Sequence, residues 1–112
     1  MATAFAEEAV RIREVAHLSD VQIASAVGAA PSTVRDWFAR RSSPSGKRAE
    51  RVAELAEIVD RLGRVMEPEY IPVWMARPIE ALGDRKPLEL IARGKVRQVA
   101  RLVSELESPG AV

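Results

Sequence analysis

The side chains with most chemical potential lie between residues 32 and 51, and they are basic. Arg35, Arg40, Arg41, Lys47, Arg48 and Arg51 meet only Asp36 and Glu50 in that stretch, a local charge of +4. The chain as a whole is nearly balanced, with 17 Lys and Arg against 16 Asp and Glu. Clustered guanidinium and ammonium groups neutralise phosphates, and an arginine can grip a guanine edge through paired hydrogen bonds. Ser32 and Thr33 add hydroxyls of the kind that hold phosphate oxygens. Groups for catalysis are scarce. The absence of cysteine excludes disulfides, zinc knuckles and thiol nucleophiles, and the lone His17 cannot form a two-histidine metal motif. Phosphate loops of the GxxxxGK type, GxSxG elbows and HExxH motifs do not occur. The expectation is a binding protein, not an enzyme, with no cofactor and no metal.

Helices must position these residues. At 112 residues the chain is one domain's worth, and 47% hydrophobic but only 4% aromatic residues favour helices over sheets. The expected fold class is all-α. Phe5, Ala9, Ile12 and Ala16 share one face of a first helix over residues 4–16, with a Glu7–Arg11 pair on the other side. Ser19 and Gln22 fit a capping box, and Leu18 is placed to staple against Ile23. That second helix, residues 20–27, stops at Gly28, and Pro31 opens a third that runs to about Arg41. Two short helices joined by a tight glycine turn read as a helix-turn-helix. Ala24, Gly28 and Val34 supply its close crossing, its turn and its anchor, while Ile23, Val27, Ala29 and Trp37 fill the remaining apolar positions.

In such a unit residues 31–41 form the helix for the major groove. Ser32, Thr33, Arg35 and Asp36 point outward from it, with Arg40 and Arg41 at its far end. Lys47, Arg48 and Arg51 fall in the first turns of the next helix, where the helix dipole disfavours cations, so their placement supports a phosphate role, with a solvated helix end as the plain alternative. His17 reads as a surface or helix-end residue.

From residue 47 to 65, Val52, Leu55, Val59, Leu62 and Met66 step by threes and fours, with Glu57–Arg61 and Asp60–Arg64 pairs outside. The stripe suits the core of a bundle, or alternatively a dimer contact. Beyond it Pro68, Pro72, Pro78 and Pro87 break the chain into short turns around Trp74 and Met75. A last helical region follows over residues 88–107, interrupted near Gly94 and burying Val96, Val99, Leu102, Val103 and Leu106. Trp74 suits a core position and the prolines suit turns. The start is acidic too early for a signal peptide, and the longest uncharged stretch, residues 21–34, is too short to cross a membrane. A soluble cytoplasmic protein is expected.

The helix-turn-helix residues match the pattern of Xre-type repressors. In the second half, Val73-Trp74-Met75-Ala76-Arg77-Pro78, Ala81-Leu82-Gly83, Lys86-Pro87-Leu88-Glu89-Leu90-Ile91 and Gly94 follow in order, with Val99, Leu102 and Val103 after them. This series resembles the toxin-binding domain of the Xre/MbcA/ParS-type antitoxins, particularly the mycobacterial MbcA branch, over roughly residues 15–112. The resemblance implies a helix-turn-helix region over 1–46, a connecting or dimerisation helix over 47–66, and a toxin-binding domain over 67–112. It further implies a RES-domain toxin as partner, an enzyme that destroys NAD⁺ and whose pocket the antitoxin's C-terminal helix and tail cover. That role would fall on Leu106, Glu107, Ser108, Pro109, Gly110, Ala111 and Val112, with residues 95–105 as platform. Arg77, Arg85 and Lys86 are further candidates for contact with the toxin. The resemblance also implies a homodimer within a larger complex, and operator DNA bound through residues 31–41. The competing readings are a stand-alone transcription regulator and an interaction module with a vestigial helix-turn-helix.

Overall fold

The computed structural model describes residues 3–108, with side chains from residue 7 onward. Among the described residues, seven α-helices make an all-α fold: α1 (Thr3–Ala16), α2 (Asp20–Val27), α3 (Pro31–Phe38), α4 (Gly46–Leu62), α5 (Ile71–Met75), α6 (Pro87–Ala92) and α7 (Val96–Glu107). The remainder includes two 3₁₀ turns, Pro68–Tyr70 and Glu80–Leu82.

Local chemistry explains the first boundaries. Ser19 Oγ accepts from the Gln22 amide at 3.0 Å while Gln22 Oε1 accepts from the Ser19 amide at 3.1 Å, closing the expected capping box. Gly28 ends α2 at φ +75°, a left-handed conformation in which its amide still donates to the Ala24 carbonyl. Pro31 then opens α3 at the position where a missing N–H is harmless. The third helix is shorter than expected. It stops at Phe38, and Arg40 turns back at φ +60°, so Arg40 and Arg41 leave the helix axis. The Phe38 ring closes that end, with the Arg13 guanidinium 4.0 Å from its centroid.

Helix α4 is the central member, packed by α1, α2, α6 and α7. Val52, Leu55, Ile58, Val59 and Leu62 are all buried, so the apolar stripe that could have served a dimer is covered within one chain. Val65 and Met66 lie beyond the helix end. The helical ion pairs expected on α1 and α4 are replaced by pairs between elements. Glu7 meets Arg40 at 3.8 Å, Arg11 meets Asp60 at 3.0 Å, and Arg61 turns to Glu107. A partner on a packed neighbouring helix competes with one four residues along the same helix, which is worth only about 0.2–0.5 kcal/mol.

In the second half, Trp74 and Met75 are buried as expected. Residues 79–85 form a small loop closed by an antiparallel bridge between Ile79 and Arg85, which tucks Leu82 inward. The last helical region is two helices, α6 and α7, parted by Gly94 at φ +79°. One hydrophobic cluster runs from Ala9 to Val103 and includes side chains from all seven helices. Gln22 adds a polar tie between the halves, donating from Nε2 to the Pro72 carbonyl at 3.3 Å.

Candidate functional site

The outer surface of α3 carries the residues expected to read DNA. Ser32 and Arg35 are exposed and Thr33 and Asp36 half-buried, while Val34 and Trp37 turn inward. The arginines there are already engaged. Arg35 reaches back to Asp20 on α2 at 2.6 Å, and Arg41 makes two hydrogen bonds to Asp36 at 3.0 and 3.1 Å. Arg51 pairs with Glu54 at 3.3 Å, and the Arg48 Nε donates to the Gly28 carbonyl across the helix-turn-helix bend. Lys47 is exposed at the start of α4. The acidic partners Glu7, Asp20 and Glu54 lie outside residues 32–51, so folding dilutes the basic patch.

The second candidate surface is the end of α7. Leu106 packs partly against the core and Ser108 is exposed. Glu107, expected to contact a partner, is paired with Arg61 of α4. The Arg61 Nη2 donates to Glu107 Oε1 at 2.7 Å and its Nε to Oε2 at 3.2 Å. The same Nη2 reaches Ser104 Oγ at 2.8 Å and the Ala100 carbonyl at 3.4 Å. Arg64 adds its charge at 4.0 Å. This network was missed at the level of sequence, though a signal existed. Glu107 continues the buried Val99–Val103 face and sits at a helix C-terminus, where the dipole disfavours a carboxylate unless a cation meets it. The expected site residues Pro109, Gly110, Ala111 and Val112 lie outside the described residues.

Arg77 and Lys86 are both exposed on the second half. Arg77 donates to the Tyr70 hydroxyl at 2.6 Å, and Lys86 lines a groove of about 500 Å³ between α2 and α6. Arg85 and Arg93 both pair with Glu89. A second groove, about 400 Å³, runs beside α7 between Leu82 and Leu102. His17 is exposed at φ +59° and closes α1. Among the described residues, no group of three or more His, Cys, Asp or Glu could hold a metal ion. No helix among them is long and apolar enough to cross a membrane.

The ion pairs leave an electrostatic signature. Hydrogen bonding from Arg61 holds the Glu107 carboxyl below its ordinary value of 4.5, against a smaller upward push from desolvation. Arg35 does the same for Asp20, ordinarily 3.8. A carboxylate whose folded pKa is depressed contributes stability that is present above its unfolded pKa and is lost as pH falls through the folded one. The thermal midpoint of the chain should therefore exceed that of Arg61→Gln at neutral pH. The gap should close as pH falls below about 4.5. Melting curves over that range check it, and a gap of constant size would assign the stabilisation to packing of the arginine stem.

Comparison with known proteins settles the family. The chain is 31% identical over 85 residues to the mycobacterial cidal antitoxin MbcA of Mycobacterium tuberculosis H37Rv, covering 76% of this chain and 75% of that protein. The chain belongs to the MbcA antitoxin family. The M. bovis MbcA matches at the same identity and coverage. A chain of the crystal structure of the M. tuberculosis MbcT–MbcA toxin–antitoxin complex superposes with a TM-score of 0.85 at 28% identity, covering 97% of this chain and 98% of that one. No family model matches the sequence. The MbcA likeness thus extends across both candidate surfaces.

Proposed function

We propose that the chain is the antitoxin of a type II toxin–antitoxin pair and that its partner is a RES-domain toxin that degrades NAD⁺. The observation that carries this reading is the likeness over nearly the full length to a chain of a toxin–antitoxin complex, joined to 31% identity with MbcA. Neutralisation is by occlusion. The end of α7 and residues 108–112 cover the toxin's NAD⁺ pocket, a task that needs shape and no catalytic group. Pro109 narrows the conformations the segment must give up on binding, and Gly110 permits close backbone approach. Arg77 and Lys86, exposed on the second half, make further contacts with the toxin. The protein acts in the cytoplasm as a homodimer inside a larger hetero-oligomer, and its α2–α3 unit binds operator DNA to autoregulate the operon. Dimerisation would serve that last role, because two recognition helices must reach successive major grooves.

A second reading, a stand-alone helix-turn-helix regulator, draws on the closed capping box, the left-handed Gly28 and the proline-started α3. Co-expression separates the two. The chain is produced together with the RES-domain protein encoded beside it, and cellular NAD⁺ and growth are followed. Expected is full NAD⁺ and normal growth with the chain, and NAD⁺ collapse without it. Collapse despite equal expression of the chain would overturn the antitoxin reading and leave the regulator first.

A further inference from the structure

Helix α7 ends without the left-handed cap that closes α2, since Ser108 at its C-cap has φ −131°. A last turn ended in this way is prone to fray. What holds it is a side chain from another helix. Arg61 stands 46 residues earlier on α4, and its guanidinium binds the Glu107 carboxylate, the Ser104 hydroxyl and the Ala100 carbonyl together. These three residues span the last two turns of α7. Both charged side chains are largely covered, 20% exposed for Arg61 and 27% for Glu107. The planar fork of a guanidinium fixes angle as well as distance, which a lysine could not do. The cation also sits against the negative end of the helix dipole. The last helical residue is thereby pinned to the central helix, immediately before the segment that the proposed function assigns to the toxin pocket.

We infer that Arg61 is the positioning residue for inhibition: through Glu107 and Ser104 it fixes the last turn of α7, and so the place of Ser108, with which the proposed inhibitory segment begins. The inference rests on the occlusion reading. A segment tethered to a fixed point meets its pocket at a high effective concentration, and that concentration falls as the tether lengthens. Releasing Arg61 frees the last turn of α7 and adds its ordering to the cost of binding. Arg61 itself need not touch the toxin.

The test is a cycle of four purified chains titrated into the toxin, each first checked for a cooperative melt. They are the full chain and a chain ending at Ser108, each with Arg61 and with Arg61→Gln. Expected is a loss of about tenfold in affinity for Arg61→Gln in the full chain, and a change within about twofold in the shortened chain. Glu107→Gln, which opens the same clamp from the α7 side, should copy the full-chain loss, and Arg61→Lys should restore only part of it. Equal losses in long and short chains would overturn the inference by making Arg61 a contact or merely a structural group, and so would no loss in either. If the two unsubstituted chains bind equally well, occlusion by the tail is itself wrong and the inference falls with it.

Discussion

Replacing Trp37 by alanine is expected to cost about 3–5 kcal/mol and to unfold both halves of the chain in one transition. Trp37 lies in α3, only 2% exposed, within the cluster that also holds Trp74, Met75 and Ile91 of the second half. A loss of that size removes much of the stability of a small domain and lowers the midpoint by roughly 15–30 °C. The chain has two tryptophans, so in Trp37→Ala the remaining tryptophan fluorescence comes from Trp74 alone. Circular dichroism reports all the helices. Coincident midpoints by the two probes are the expected result. A Trp74 midpoint left at its original value would show that the halves melt separately and that the shared core does not couple them.

The second large effect is expected on α7. Val103 is fully buried on the face that meets α4. An aspartate there places a carboxylate among apolar side chains, and such an uncompensated charge costs about 3–5 kcal/mol. Val103→Asp should lower the melting midpoint sharply and abolish protection against the toxin, because the proposed inhibitory segment loses its platform. Arg97→Ala, an exposed change on the same helix, should stay within about 0.5 kcal/mol and protect normally. Protection retained by Val103→Asp in the co-expression assay would show that α7 need not be docked to inhibit.

The parts of the fold that local rules dictate were legible in the sequence. Ser19, Gln22, Gly28 and Pro31 mark helix ends through bonds and backbone angles that involve only their neighbours, and the structure places the ends of α2 and the start of α3 where they indicate. The apolar spacing likewise indicated Val52, Leu55, Val59 and Leu62 of α4 and Val99 and Val103 of α7, all buried. Met66, Val96, Leu102 and Leu106 are only half-buried, and the buried Ile58 falls outside the expected stripe. Distant residues decided the rest. Arg40 adopts a left-handed turn although nothing in its residue type demands one, and α3 ends three residues early. Glu57–Arg61 and Asp60–Arg64 looked like pairs because they lie four apart, yet Arg61 and Asp60 found partners on α7 and α1. The +4 of residues 32–51 is a sum along the chain, whereas Asp20, Glu7 and Glu54 approach that stretch through space. The bond from Arg61 to Glu107 also lay beyond spacing, which cannot show that α4 offers that carboxylate an arginine.

The packing of α2 against α6, with Gln22 closing a helix cap and also bonding the Pro72 carbonyl within α5, bears on how such a protein can be re-engineered. A chimera joining residues 1–66 of this chain to the second half of a relative would inherit an interior surface cut for a different neighbour. The two halves are not interchangeable modules, and exchange at that junction would sacrifice stability before it altered recognition. On the proposed function, new pairing specificity is therefore more accessible through substitutions on the exposed side of α7, where change leaves the common interior intact.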